Sequence, residues 1–239
     1  ISVAFTGVDH IAVSQCRKQG IAVSNSAGYS NESVSELVIG MALSLTAVFL
    51  NVIMPSVPDG HGPGLQEGNC AEKFGILGTG AIGKKTALLA RAFGCEVLGY
   101  SRKKEEGPFQ WVPLDTLLSE SDILSLHVPL TGETRGMIGT DALKKMKPSA
   151  ILINAARGPV VDAEALARAL KEGQLAGAGI DVFDTEPPLA PDHPLLSCPH
   201  VILSPILDSP TEEAMVRRAR IVFENIRRWA DGCQQNTVC

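Results

Sequence analysis

Residues 74–104, FGILGTGAIGKKTALLARAFGCEVLGYSRKK, decide the fold. A short apolar run, Phe74 to Leu77, leads into Gly78-Thr79-Gly80-Ala81-Ile82-Gly83, a G-x-G-x-x-G pattern. Good helix formers follow, Ala87, Leu88, Ala90, Arg91 and Ala92, with Gly94 as a stop. A second apolar run, Glu96 to Tyr100, closes the unit. The glycines therefore stand between a strand and a helix inside a βαβ unit, the context that a dinucleotide fingerprint requires. Gly78 permits the tight turn, Gly80 lets backbone approach a pyrophosphate, and Gly83 lets helix pack on strand. Backbone N–H groups and the positive end of the helix then face the phosphates.

The rest of the chain agrees with a globular α/β protein. At 45% hydrophobic and 20% charged residues, 239 residues can build a substantial core in one large or two modest domains. A net charge of −5 offers no basic face for nucleic acid. The six cysteines, Cys16, Cys70, Cys95, Cys198, Cys233 and Cys239, are scattered without a C-x-x-C or His/Cys cluster, so no metal site is expected and free thiols in a cytoplasmic protein are. No n-region precedes an apolar h-region, so no signal peptide is expected.

Ahead of the fingerprint, Ser2 to Phe5 and Ile21 to Val23 read as short strands around a helical stretch, Ile11 to Gln19. Ser33 or Ser35 can cap a helix from Val34 to about Val52. Leu37 to Met54 carries no charge and is long enough to span a bilayer, but Gly40, Ser44, Thr46 and Asn51 interrupt it and no basic flank orients it. A buried interdomain helix is the expectation, with no membrane partner. Residues 55–68, rich in Pro and Gly, read as a linker.

Beyond the fingerprint, strands and helices alternate. Strands are expected at 123–128, 150–155, 177–182 and 201–204, and their unbroken apolar runs suit a parallel sheet covered on both faces. Helices are expected at 114–119, 141–146 and 163–172, the last capped by Asp162, and a final helix runs from Thr211 to about Trp229. Ligands of such sheets bind beyond the carboxyl ends of the strands. Ser101 falls where an acidic residue would hold the 2′-hydroxyl of NAD. Arg102 and Lys103 follow instead, which favours the 2′-phosphate of NADP(H) and leaves NAD(H) open; a solvated basic turn is the plainer alternative. Arg157 follows a strand and precedes Gly-Pro, where it can clamp a carboxylate or make a surface ion pair. Asp181 and Glu186 lie near another strand end, where Asp181 can accept from an amide and Glu186 can tune a base; turn chemistry is their plainer reading. Several such groups around one fingerprint point to a site.

At these residues the chain resembles the D-isomer-specific 2-hydroxyacid dehydrogenases. The resemblance spans almost the whole chain, from Thr6-Gly7-Val8-Asp9 and Ser33-Val34-Ser35-Glu36-Leu37 through the fingerprint and His127-Val128-Pro129-Leu130-Thr131. Its most specific blocks are Asn154-Ala155-Ala156-Arg157-Gly158-Pro159-Val160-Val161-Asp162 and Asp181-Val182-Phe183-Asp184-Thr185-Glu186-Pro187-Pro188. Ser101-Arg102 looks like the NADPH-preferring glyoxylate and hydroxypyruvate reductases of that family. The resemblance implies a Rossmann doubly wound parallel sheet at 64–207, a partial flavodoxin-like substrate domain and interdomain helix at 1–54, and a C-terminal helix, 208–239, returning to the substrate domain. It implies reduction of a small 2-oxo acid to the 2-hydroxy acid. Arg157 would bind the substrate's carboxylate and carbonyl, with help from backbone groups of Thr6 and Gly7. Ala81 and Ile82 would touch the pyrophosphate between Gly78, Gly80 and Gly83. Val128, Pro129, Thr134, Ala155, Ala156 and Asp181 would line the rest of the cofactor. Glu186 would orient a catalytic histidine.

The chain departs from the family in three places. Where the histidine is expected after Ser204-Pro205 it has Ile206, which has no proton to give, and His200 lies before its strand rather than after it. A further half-domain that opens family members does not precede Ile1 in this sequence. Residues 47–69 do not follow the family's charged dimerisation arm, so a homodimer is left open. A catalytically impaired cofactor-binding homologue is therefore the alternative to an active reductase.

Overall fold

The computed structural model describes residues 1–53, 72–104, 106–185, 188–204 and 211–239. The linker expected at 55–68, Glu186 and Ile206 lie outside them. The chain divides into two compact units, residues 34–207 and residues 1–33 with 208–239.

The larger unit is a seven-stranded sheet in which every neighbouring pair is parallel. Its strands are β1 (Lys73–Leu77), β2 (Glu96–Tyr100), β3 (Gln110–Trp111), β4 (Ile123–Leu126), β5 (Ile151–Asn154), β6 (Gly177–Ile180) and β7 (Val201–Leu203), in the order β3-β2-β1-β4-β5-β6-β7. The order reverses between β1 and β4, the switch point at which doubly wound folds bind their ligands. β4, β5 and β6 are buried throughout, as two-sided coverage demands.

Successive residues of each strand serve opposite faces. Phe74, Ile76, Val97, Ile123, Ile151 and Ile153 pack with the helix α3 (Ala81–Ala92) and with the buried side chains of α2 (Asn31–Ile53). Leu77, Leu98, Leu124, Leu126 and Leu152 pack with α4 (Leu114–Glu120), α5 (Thr140–Leu143) and α6 (Ala163–Lys171). The Asp162 carboxylate caps α6 by accepting from the Ala165 N–H at 3.0 Å.

The apolar residues of α2 up to Leu45 are explained by burial against this sheet. Val34, Val38, Ile39, Met41, Ala42 and Leu45 are all buried, and Met41 lies directly against Gly179 of β6. Among the described residues no helix is long and apolar enough to cross a membrane. The helix starts at Asn31, earlier than a Ser33 or Ser35 cap requires. The Ser33 hydroxyl instead donates to the Ser30 carbonyl at 3.2 Å.

In the smaller unit the expected strands at 2–5 and 21–23 do not form. They shrink to isolated bridges, Ser2 with Ser24 and Ser24 with Thr237. Short segments without a longer neighbour cannot propagate a ladder. The helical stretch is α1 (Val13–Lys18), and Val3, Cys16 and Val23 form a small buried nucleus. The last helix, α7 (Glu212–Ala230), is capped by the Thr211 hydroxyl, which accepts from the Ala214 N–H at 3.3 Å. Glu212 and Glu213 sit in its first turn and Arg227 and Arg228 in its last, as the helix dipole favours.

Candidate functional site at the strand ends

The parallel order lines up the carboxyl ends of β2, β1, β4, β5 and β6 along one edge of the sheet. The glycine loop sits in the middle of its half. Gly78 has φ +100°, and a Cβ there would stand 2.6 Å from the His127 carbonyl oxygen, so only glycine fits. A Cβ on Gly83 would run into the Gly78 carbonyl, so that glycine sets how closely α3 approaches β1. Gly80 is different. Its φ of −68° suits any residue, and a Cβ would meet nothing within 4 Å. Neither backbone strain nor internal packing asks for glycine there, which leaves room for a ligand's phosphates. No side chain caps α3, so the first N–H groups, at Ala81 and Ile82, are available to an anion. These residues fit a dinucleotide pyrophosphate.

Beside this loop, the Gly78 N–H donates to the Tyr100 carbonyl at 2.9 Å, which places the Ser101 turn next to the glycines. Arg102 in that turn pairs through Nη1 with Glu133 Oε2 at 2.6 Å, both side chains being largely exposed. Sequence reasoning missed this partner, which lies in a different loop. Among the described residues Lys103 makes no ion pair.

On the other flank, the His127 N–H donates to the Leu77 carbonyl at 2.7 Å and Val128-Pro129 follow. Thr134 is buried, and its hydroxyl donates to the Pro129 carbonyl at 2.6 Å while accepting from the Thr131 N–H at 2.8 Å. It braces this loop from within. The His127 Nε2 lies 2.9 Å from the Ser125 hydroxyl. Its Nδ1 is closed off from solvent and has no hydrogen-bond partner among the described residues, although the residue as a whole is half-buried. Burial pushes the imidazole down to about 4, so the ring is neutral at physiological pH.

The ends of β5 and β6 interlock. The Asn154 side chain accepts from the Ala156 N–H at 3.1 Å and donates to the Arg157 carbonyl at 3.0 Å, which fixes the turn through Ala155 and Ala156. Arg157 Nη1 donates to the Ala156 carbonyl at 2.6 Å. The backbone at Phe183 presses on Gly158, so a side chain on Gly158 would displace the β6 end. Asp181 is fully buried and accepts from the Ser204 hydroxyl at 2.6 Å. A cavity of about 390 Å³ is lined by Arg135, Asn154, Gly158, Val182, Asp184 and His193, away from the fingerprint.

The structure thus brings Gly78, Gly80, Ala81, Ile82, Gly83, Ser101, Arg102, Lys103, Val128, Pro129, Ala155, Ala156, Arg157 and Asp181 to consecutive strand ends of one sheet. Thr6 and Gly7 belong to the other unit. There the Thr6 carbonyl accepts from the Asn25 side chain at 2.8 Å, and neither the Thr6 nor the Gly7 N–H has a partner among the described residues. Glu186 lies outside the described residues. His200 stands just ahead of β7, at the opposite end of the sheet from these loops.

Residues 65–207 match the D-isomer specific 2-hydroxyacid dehydrogenase, NAD binding domain. A glyoxylate reductase of Thermofilum pendens is 39% identical over 242 residues, covering 95% of this chain and 70% of that protein. An acyclic imino acid reductase solved in complex with NADPH and D-Arg superposes with a TM-score of 0.87 at 27% identity, over 100% of this chain and 78% of that one. A D-lactate dehydrogenase of Aquifex aeolicus complexed with NAD and lactic acid gives 0.83 at 33% identity, over 98% and 76%. By the match over residues 65–207 and the identity to these relatives, the chain belongs to the D-isomer specific 2-hydroxyacid dehydrogenase family, nicotinamide-dependent oxidoreductases acting on 2-hydroxy and 2-oxo acids.

Proposed function

We propose that the protein reduces a small 2-oxo acid of the glyoxylate or hydroxypyruvate kind, with NADPH favoured over NADH. The observation that carries this reading is the interlocked turn at the ends of β5 and β6. It puts Arg157 and the buried Asp181 just beyond the ends of neighbouring strands, on the same sheet edge as an uncapped helix end and an open Gly80. A reduced nicotinamide supplies the hydride when bound. Gly80, Ala81 and Ile82 hold its pyrophosphate, and Val128, Pro129, Thr134, Ala155, Ala156 and Asp181 border the nicotinamide half. The Arg157 guanidinium takes the substrate carboxylate and polarises the neighbouring carbonyl. Glu186 is the acid that would orient a histidine at position 206; with Ile206 there, water supplies the proton that completes the reduction, and turnover is correspondingly slow. Ser101, Arg102 and Lys103, with no acidic residue among them, support the NADPH preference. The described cysteines are free thiols, which supports a cytoplasmic setting.

Binding tests the reading independently of turnover. The fluorescence of NADPH is titrated with protein, then oxamate, an unreactive isostere of a 2-oxo acid, is added. The expected result is an oxamate complex that forms only with NADPH bound and that Arg157→Gln weakens about a hundredfold, while NADPH itself still binds. Failure of oxamate to bind the NADPH-loaded parent chain would sink the proposal.

A further inference from the structure

The Arg102–Glu133 ion pair joins two loops that flank the glycine loop. Arg102 leaves the end of β2 and Glu133 lies in the loop after β4, with β1 between them in the sheet. Adjacent strands are about 4.8 Å apart, so the two loops that the pair joins leave strands roughly 10 Å apart, on either side of β1. The Arg102 guanidinium is the group proposed to meet a 2′-phosphate. Glu133 engages one of the guanidinium's five N–H donors, at Nη1 and 2.6 Å, so the ion pair takes up a donor and an orientation of the fork that a bidentate grip on phosphate also draws on. Lys103 and Lys104 have no carboxylate partner among the described residues, so Arg102 is the basic group of this turn whose phosphate binding is contested.

We infer that Glu133 is a specificity-determining residue: it competes with the 2′-phosphate of the cofactor for Arg102 and so holds down the preference for NADPH over NADH. The inference rests on the reading that this site takes NADPH. NADH presents a 2′-hydroxyl at that place and has no need of Arg102, so Glu133 leaves its affinity nearly untouched. The competition is bounded. Both side chains are about 70% exposed, at 69% and 73%, and ion pairs that open to water are weak. Direct repulsion between the Glu133 carboxylate and the phosphate acts in the same direction.

The plainer view is that the pair only ties two surface loops together. Dissociation constants for NADPH and NADH, read from nicotinamide fluorescence, separate the two in the parent, Glu133→Gln, Arg102→Gln and the double variant. Glu133 is exposed, and its amide replacement keeps its size, so folding is unaffected. Glu133→Gln is expected to tighten NADPH about two- to fivefold with little change for NADH. Arg102→Gln is expected to weaken NADPH and to remove most of the Glu133→Gln gain in the double variant. An unchanged NADPH-to-NADH ratio in Glu133→Gln, where the parent binds NADPH, overturns the inference and leaves the NADPH reading intact. A gain that persists in full without Arg102 overturns it too, since that is repulsion at a distance rather than competition. If the parent and Glu133→Gln bind NADH but not NADPH, the NADPH reading itself fails.

Discussion

Residues 34–207 close two apolar layers around a seven-stranded sheet, whereas residues 1–33 and 208–239 are held by polar bonds around a small apolar nucleus. In the larger unit β4, β5 and β6 are buried throughout and the helices fit by glycine-sized clearances. In the smaller unit α7 buries only Ala214 and Asn225, while Phe223, Ile226 and Trp229 stay exposed. Its ties are long-range hydrogen bonds. The Asn225 side chain donates to the Asn25 carbonyl at 2.8 Å and accepts from Gln235 at 3.1 Å and Asn236 at 3.0 Å. Dense packing punishes added volume, and a polar network punishes a missing partner. The two units should therefore fail in different ways.

The largest effect is expected inside the fingerprint. Gly78→Val must adopt φ +100° and meet the His127 carbonyl, so it should cost about 3 kcal/mol or more in urea unfolding. Gly80→Ala meets open space and should cost less than about 1 kcal/mol, yet weaken NADPH about tenfold or more. If both variants lost stability equally, the separate reasons assigned to these glycines would be wrong.

Acid should act on the larger unit next. The His127 ring is held at about 4 against its ordinary 6.5, so the unfolded chain binds more protons between those values. Stability is full above pH 6.5, falls as pH drops through that window, and has lost at most about 3 kcal/mol once pH passes below about 4. His127→Gln should flatten this part of the stability–pH profile. An unchanged slope would place the acid sensitivity elsewhere.

In the smaller unit, Asn225→Ala leaves the Asn25 carbonyl unpaired and should cost about 1–3 kcal/mol. Phe223→Ser, on the same helix but 72% exposed, should stay within about 0.5 kcal/mol. A reversal of these two would mean that the apolar face of α7 is covered in solution.

The same contrast governs what could be read in the sequence. The βαβ unit is legible because strand, glycines and helix are contiguous and each glycine answers a local demand. The buried runs of β4, β5 and β6 are legible because parallel strands covered on both faces leave unbroken apolar stretches. β3, with two residues, carries no period to detect. Ser2 to Phe5 and Ile21 to Val23 have strand-like composition, but whether a ladder forms depends on partners distant in the chain. Arg102 was visible as a basic group at a strand end. Its partner Glu133 was not, because nothing local in Pro129-Leu130-Thr131-Gly132-Glu133 tells which loop it will meet. That Nδ1 of His127 finds no partner among the described residues is likewise a property of packing and leaves no trace in spacing.

The central claim, that these strand ends form a 2-oxo acid reductase site, is tested most directly by NADPH consumption with glyoxylate and hydroxypyruvate, for the parent and for Ile206→His. Ile206 leaves the site without the family's positioned proton donor, so the substitution should raise kcat about a hundred- to ten-thousandfold. A parent that already turns over at ordinary enzyme rates would contradict the role given to Ile206. Two proteins that neither consume NADPH nor bind it would contradict the site itself.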